Sequence, residues 1–184
     1  MKRMICFLLP FMLLLTSCGM ENTIPQQSDT FSLFFRSEEQ YRACVDYLST
    51  YDHDCLISRS DFYAPEGSTD FTGLYLQNMS TLAFTEMDNP EIVSLFENTS
   101  VKLIDLVHKG DLTICTFDMC KPGRNFDYGI YFVSEDAPVY FGDTSVTLSP
   151  SGNGFSYEQS ASYGTKFTFY TEKITEHYYY YEIM

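Results

Sequence analysis

The stretch VKLIDLVHKGDLTICTF, residues 101–117, decides the fold. Its two apolar runs, Val101 to Val107 and Leu112 to Phe117, flank the polar residues His108-Lys109-Gly110-Asp111. Short runs rich in β-branched residues, joined by a polar segment with glycine, are typical of a β-hairpin. From Val101 onward, the apolar residues follow the period of strands rather than that of helices.

The chain beyond this hairpin continues as strand-like runs separated by turn residues. The strongest turn signals are Glu135-Asp136-Ala137-Pro138 and the cluster from Ser149 to Gly154. Strands are predicted at residues 129–133, 139–141, 146–148, 155–159, 166–174 and 177–183. Consecutive short strands joined by such turns favour an antiparallel meander.

Two short helices are predicted before the hairpin. Ser37-Glu38-Glu39-Gln40 is a capping box, and the apolar residues that follow it to Tyr51 recur at helical spacing, which predicts a helix over about 38–50. Asn89-Pro90 places a cap residue before a proline, which predicts a second helix that ends near Asn98. Further strands are predicted at residues 55–57, 71–76 and 81–85. We therefore expect an α+β domain over residues 31–184, with two short N-terminal helices packed on a largely antiparallel β-sheet.

The 184-residue chain is acidic, with 25 Asp and Glu residues against 11 Lys and Arg residues and a net charge of −14. Binding to nucleic acid depends on Lys and Arg side chains that neutralise phosphates, so no nucleic-acid partner is expected. The same balance argues against docking on anionic lipid through a basic face. No G-x-S-x-G, H-E-x-x-H or P-loop pattern is present, so neither catalytic residues nor a cofactor are predicted.

The first 18 residues have the order of an export signal. Met1-Lys2-Arg3 is cationic, an apolar run follows to Leu15, and Thr16-Ser17-Cys18 ends it. The run is too short for a membrane-spanning helix, which needs roughly 20 apolar residues. Leu15-Thr16-Ser17-Cys18 resembles the lipobox of bacterial lipoprotein precursors. This resemblance implies cleavage before Cys18, a diacylglyceryl group on its thiol and an anchor on the extracytoplasmic face of the cell membrane.

Residues 1–17 are then a signal peptide, and residues 18–30 begin with the lipidated cysteine and form a flexible polar tether. Three alternatives remain open: ordinary cleavage nearby with an unmodified Cys18, an N-terminal helix that belongs to the fold, and an ordered arm in place of the tether. The segments 129–132, 147–155 and 170–174 and the tyrosine run after them loosely resemble small uncharacterised lipoproteins of Gram-positive bacteria. That resemblance implies no activity.

Four cysteines follow the tether, at Cys44, Cys55, Cys115 and Cys120. An even count in an exported protein permits two disulfides with three pairings, of which the local one, Cys44–Cys55 with Cys115–Cys120, is favoured. Four buried free thiols are the alternative. A metal site is not expected, because no second Cys/His pair of standard spacing accompanies Cys115 and Cys120.

The tyrosine run 178–181 is the candidate binding feature. In a strand, Tyr178 and Tyr180 face one side of the sheet, and Tyr179 and Tyr181 face the other. One pair is expected in the core. If Tyr179 and Tyr181 are displayed, their rings can stack on sugars or anchor a protein partner. Ordinary packing of both pairs is the simpler alternative.

Three functions are compatible with these patterns. The leading hypothesis is a membrane-anchored extracytoplasmic lipoprotein whose non-catalytic domain binds an envelope protein or a glycan. The others are an envelope hydrolase with a spatially assembled site and a structural or accessory lipoprotein of an envelope complex. Asp52-His53-Asp54-Cys55 is interpreted as a helix-exit loop, and His108 and His177 as exposed turn residues. A deep pocket with perturbed titratable groups would favour the hydrolase, and an exposed aromatic surface would favour binding.

Overall fold

The computed structural model describes residues 27–59, 73–120, 126–140, 143, 145–160 and 166–184. The predicted signal peptide and Cys18 lie outside these residues. In chain order, the elements are α1 (Gln27–Leu48), β1 (Cys55–Arg59), β2 (Leu74–Asn78), β3 (Phe84–Met87), α2 (Pro90–Asn98), β4 (Leu103–Lys109), β5 (Leu112–Asp118), β6 (Asp127–Val133), β7 (Ser149–Ser151), β8 (Gly154–Ser160), β9 (Lys166–Thr175) and β10 (Tyr178–Ile183).

All ten strands form one antiparallel sheet in the order β3-β2-β1-β4-β5-β6-β10-β9-β8-β7. The chain builds one end of the sheet outward from β1 to β3, and α2 then returns it to β4 beside β1. After β6 the chain passes to the far edge at β7, and the strands β7 to β10 lead back to β6. The C-terminal strand β10 is therefore an internal strand between β6 and β9.

The prediction of an α+β domain with two short N-terminal helices is wrong, because the fold is mainly β and α1 has 22 residues. The capping box at residues 37–40 lies inside α1 and does not begin it. The buried stripe of α1 extends back from Tyr41 through Phe34 to Thr30 at helical spacing, and these side chains pack as one face. The helix thus includes residues 27–30, which were predicted as the end of the tether.

The predictions of a helix start at Asn89-Pro90 and of a hairpin within residues 101–117, now β4–β5, are confirmed. Asn89 caps α2, since its side chain accepts hydrogen bonds from the backbone N–H groups of Glu91 and Ile92. Strands β4 and β5 pair through to Lys109 opposite Leu112, so the turn has only two residues. Gly110 supplies the left-handed backbone, with φ of 63°, that such a tight turn requires.

The segment between β6 and β8 differs from its prediction. The predicted strands at 139–141 and 146–148 are not strands in their described residues, apart from an isolated bridge between Tyr140 and Asp143. The short edge strand β7 instead occupies the first part of the predicted turn cluster. This segment packs across the sheet rather than within it, because Val139, Tyr140 and Leu148 lie against one sheet face.

Both faces of the sheet are therefore buried near its centre. One face carries the main core, which α1 and α2 cover with Phe34, Tyr41, Leu48, Ile92 and Leu95. The other face carries a smaller core of Leu112, Ile114, Tyr131, Val133, Phe169, Tyr179 and Tyr181. Among the described residues, neither helix is long and apolar enough to cross a membrane.

Candidate functional site

The tyrosine run forms β10 and alternates between the two faces as predicted, but none of its four side chains is displayed. Tyr178 and Tyr180 lie in the main core, and Tyr179 and Tyr181 lie in the smaller core, with 2% and 0% of their surface exposed. The prediction of a binding face at Tyr179 and Tyr181 is therefore wrong. Its physical cause is that β10 is an internal strand whose second face the segment after β6 covers.

Tyr179 binds the carboxylate of Asp136, which follows β6. The tyrosine hydroxyl donates to Asp136 Oδ1 at 3.2 Å, the backbone N–H of His177 donates to the same oxygen at 2.7 Å, and Lys173 Nζ lies 2.6 Å from Oδ2. The hydrogen bonds from Lys173 and from the His177 backbone lower the pKa of Asp136 to about 2. This carboxylate joins the end of β6 to the β9–β10 turn.

Tyr181 binds a second aspartate by reaching across a glycine. Asp118, Gly129 and Tyr181 are direct neighbours on β5, β6 and β10. A Cβ atom on Gly129 would lie 2.2 Å from the carbonyl oxygen of Phe117 and 3.0 Å from the Tyr181 hydroxyl. The tyrosine ring occupies that space, and its hydroxyl donates to Asp118 Oδ1. Only glycine at position 129 leaves room for this contact.

Asp118 also pairs with another carboxyl group, that of Asp127 at the start of β6. The two side chains hydrogen-bond to each other, and the Cys120 side chain hydrogen-bonds to Asp127. Burial, followed by the charge of Asp127, raises the pKa of Asp118 to about 7, and burial also raises the pKa of Asp127. Burial and Asp54 raise the pKa of nearby Asp105 to about 6. These three are the carboxyl groups in the described part of the chain whose pKa is raised.

The Asp118–Asp127 pair does not have the geometry of a glycosidase site. Two carboxyls that cleave a glycosidic bond stand at least about 5 Å apart, whereas these two are in direct hydrogen-bond contact. Two cavities lie elsewhere. One of about 290 Å³ separates α1 from α2 beside Gln40 and Ser94, and one of about 340 Å³ lies beside Arg59 and Phe96. Within the described ranges, no group of three or more His, Cys, Asp or Glu side chains could hold a metal ion.

The residues of the helix-exit loop have structural roles. Asp54 Oδ1 accepts the backbone N–H of His108 at 2.7 Å and so ties the loop before β1 to β4. His53 lies 3.0 Å from the exposed carboxylate of Asp52. His108 belongs to β4 rather than to the turn, and it is half-buried beside Thr113. His177 lies in the β9–β10 turn, where its Nδ1 is 3.0 Å from the carbonyl oxygen of Val133.

The four cysteines of the domain are free and buried thiols, so the favoured pairing Cys44–Cys55 with Cys115–Cys120 is wrong and the alternative of four buried thiols describes the structure. Cys55 on β1 and Cys115 on β5 both pair with Leu106 and share the face that α1 covers with Cys44. Burial raises the pKa of Cys44, Cys115 and Cys55, the last to about 12. A protonated, enclosed thiol is a poor nucleophile and a poor metal ligand.

Exposed aromatic rings occur on β8 and β9, the two strands that follow β10 toward one edge of the sheet. Phe155 on β8 and Phe167 on β9 are 37% and 40% exposed. Phe155 pairs with Thr171, Tyr157 with Phe169 and Gln159 with Phe167, so their side chains share one face of the sheet. We call Phe155, Tyr157, Gln159 and Phe167, together with Tyr140 above them, the β8–β9 aromatic surface.

Tyr140 braces this surface from the segment before β7. Its ring centroid lies 5.2 Å from that of Tyr157 and 5.1 Å from that of buried Phe169, and its hydroxyl donates to Gln159 Oε1 at 2.9 Å. The sequence carried a signal for this surface that the prediction missed: aromatic residues alternate with polar ones at 155 and 157 and again at 167 and 169.

The described residues define a mainly-β protein with one ten-stranded antiparallel sheet and two covering helices. No protein-family model, no curated protein and no solved structure matches the chain. The β8–β9 aromatic surface and the two aspartate sites that Tyr179 and Tyr181 contact are the candidate functional features of the described residues.

Proposed function

We propose that this chain is a lipid-anchored lipoprotein of the bacterial cell envelope that binds an uncharged glycan through the β8–β9 aromatic surface and catalyses no reaction. The observation that carries the proposal is the pair of exposed rings, Phe155 and Phe167, in a surface whose other members, Tyr140, Tyr157 and Gln159, are also uncharged. This retains the binding role expected from the sequence and moves it from β10 to β8 and β9.

The spacing of the two rings suits an extended polymer. Phe155 lies opposite Thr171, which is four residues along β9 from Phe167, so the rings stand about 13 Å apart at roughly 3.3 Å per residue. Both are held on paired strands, and the partly buried ring of Tyr157 lies on the same sheet face between their register positions. Rings fixed in this way offer apolar faces at little entropic cost on binding.

The charge of the chain favours an uncharged ligand over an anionic one. The net charge is −14, which would repel a polyanion. Within the β8–β9 aromatic surface, the polar groups are the Gln159 amide and the Tyr140 hydroxyl, which can hydrogen-bond to sugar hydroxyls. An aromatic platform with neutral hydrogen-bonding groups is complementary to a neutral sugar chain.

The binding test uses the full chain and a panel of insoluble polysaccharides, in which cellulose, chitin and starch are neutral and crosslinked alginate is anionic. We expect sedimentation with a neutral polymer and at least a tenfold weaker association for Phe155→Ala/Phe167→Ala, about 1.4 kcal/mol. Phe35→Ala is the matched control, because Phe35 is an equally apolar ring that is 56% exposed on α1. Equal loss in the control, or association with alginate alone, would contradict the assignment.

A protein ligand is the competing outcome of the same test. If no neutral polysaccharide sediments the chain, crosslinking in whole envelopes compares the wild type with Phe155→Ala/Phe167→Ala. A crosslinked protein that is lost in the double variant and kept in Phe35→Ala would replace the glycan with a protein partner at this surface. Loss of neither kind of contact would refute a binding role for the β8–β9 aromatic surface.

The anchor is tested separately, since it depends on Leu15-Thr16-Ser17-Cys18 alone. We expect cells that express the full chain with labelled palmitate to label it and to retain it in the membrane fraction. Cys18→Ala should lose both the label and the retention, because two acyl chains are needed for stable anchoring. Label that survives in Cys18→Ala would refute attachment at this residue.

A further inference from the structure

The carboxamide of Gln159 lies among the rings of the β8–β9 aromatic surface. Gln159 pairs with Phe167 across β8 and β9, and directly opposite residues on one sheet face have Cβ atoms about 5 Å apart. Tyr157, two positions earlier on β8, lies on the same face, and the Tyr140 hydroxyl contacts the Gln159 side chain at 2.9 Å. Gln159 is itself exposed, so a ligand that covers these rings also contacts its amide group.

The hydrogen bond from Tyr140 determines what this amide offers to a ligand. A glutamine side chain has one oxygen that accepts hydrogen bonds and one nitrogen with two N–H donors. Gln159 Oε1 accepts the Tyr140 hydroxyl, and among the described residues no group accepts a hydrogen bond from Nε2. Tyr140 is held in turn by ring contacts with Tyr157 and Phe169, at 5.2 and 5.1 Å between centroids. The surface therefore presents oriented N–H donors beside the exposed ring of Phe167.

An acetamido group has the two chemical features that complement this arrangement. Its carbonyl oxygen accepts hydrogen bonds, and the methyl group next to that carbonyl is apolar. When the oxygen binds the Gln159 Nε2–H group, the methyl group can pack against the neighbouring ring of Phe167. A sugar hydroxyl in the same place accepts the hydrogen bond but leaves the ring without an apolar partner. A free amino sugar carries an ammonium group that has only donors, so it cannot accept from Gln159 Nε2.

We propose that the ligand of the β8–β9 aromatic surface is an uncharged polysaccharide of N-acetylated amino sugars and that Gln159 determines this specificity. The Gln159 Nε2–H group donates to an acetamido carbonyl oxygen, and Phe167 packs against the acetamido methyl group. Tyr140 does not need to contact the ligand, because its hydroxyl positions the amide of Gln159. This inference rests on the proposed glycan binding and adds the class of sugar to it.

The test compares chitin with cellulose, because the two polymers share a backbone and differ by an acetamido group in place of one hydroxyl on each sugar. We expect the full chain to bind chitin at least about tenfold more tightly than cellulose in sedimentation assays. Soluble oligosaccharides of the two polymers, equal in length, should show the same order of affinity in NMR titrations. Agreement between the two assays excludes a difference in the accessible surface of the insoluble polymers.

Gln159→Glu should abolish the preference for chitin, because a carboxylate keeps an acceptor for Tyr140 and loses both donors. Ser160→Glu, which adds the same charge at the next position on the other sheet face, should keep the preference. Equal affinity of the wild type for both polymers, or a preference that persists in Gln159→Glu, would overturn this inference and leave the proposed glycan binding in place. Binding to no neutral polymer would instead refute the proposed function, and this inference with it.

Discussion

Tyr179 and Tyr181 are two positions apart on one face of β10, and the hydroxyl of each donates a hydrogen bond to an aspartate. The pKa values of the two aspartates are nevertheless shifted in opposite directions. Asp136, the partner of Tyr179, has a pKa of about 2, and Asp118, the partner of Tyr181, has a pKa of about 7. The tyrosine donor is common to both sites. The other surroundings of the two aspartates differ. Asp136 also contacts Lys173 and a backbone N–H group, whereas Asp118 is buried beside a second carboxyl group.

Because of this difference, the stability contributions of the two aspartates that contact β10 change with pH in opposite directions. The Asp136 site contributes stability above about pH 4, and that contribution is lost as the pH falls through about 2. The Asp118 site contributes stability below about pH 4, and that contribution is lost as the pH rises through about 7. Both contributions are best combined in mildly acidic solution, where Asp136 is ionised and the Asp118–Asp127 pair keeps its proton.

The largest effect should come from Gly129→Ala, which disrupts the Asp118 site and leaves the Asp136 site unchanged. A Cβ atom at this position would lie 2.2 Å from a backbone oxygen and would displace the Tyr181 ring, so β5 or β10 must shift. We expect a loss of about 3 kcal/mol or more in the free energy of unfolding, measured in urea at pH 5. Gly73→Ala is the control, because its new methyl group would only meet Glu86 Oε1 at 3.7 Å. Similar losses in both variants would refute the close packing at Gly129.

The next largest effect is the difference in the free energy of unfolding between Tyr181→Phe and Tyr179→Phe. Removing the Tyr181 hydroxyl leaves a buried carboxyl with one donor fewer, which should cost about 1–3 kcal/mol at pH 5. Removing the Tyr179 hydroxyl should cost about 0.5–1 kcal/mol, because Asp136 keeps Lys173 and the His177 N–H. The apolar volume is the same in both variants, so the difference isolates the hydrogen bond. A greater cost for Tyr179→Phe would reverse the comparison.

Sequence patterns predicted the elements that depend on near neighbours. The glycine turn at residue 110 and the Asn89-Pro90 start of α2 carry their own local signals, and both are confirmed. The start of α1 was missed because polar residues mask its buried stripe before Phe34. The placement of β10 between β6 and β9 is a long-range pairing for which a single sequence gives no local signal.

The same difference between local signals and long-range pairing explains which features of the candidate sites the sequence analysis missed. The alternation of Phe155 with Tyr157 was visible, but which strands stay uncovered depends on the path of the segment after β6. The Asp118–Asp127 contact depends on the β5–β6 register, in which Asp118 lies opposite Gly129, two residues from Asp127. A shift of that register by one residue would place one of the carboxyls on the other face of the sheet.

The smallest effect should come from Lys173→Met, which removes the cation beside Asp136. The Lys173 side chain is 47% exposed, so the change in stability at pH 7 should stay below about 1 kcal/mol. The pKa of Asp136, followed by carboxyl ¹³C titration, should rise toward its ordinary value of about 3.9, and that of Asp118 should not move. Lys166→Met is the control, since its 4.0 Å pair with Glu158 lies on exposed side chains elsewhere.

Salt provides an independent version of the same comparison without any substitution. At 1 M ionic strength the Debye length falls to about 3 Å, which screens an exposed ion pair much more than a buried contact. The pKa of Asp136 should therefore rise with added salt in the wild type and change less in Lys173→Met, while the upper titration of the Asp118–Asp127 pair stays in place. A salt response at Asp118 as large as that at Asp136 would mean that solvent reaches the carboxyl pair, and the two aspartate sites would then differ only in their partners and not in their burial.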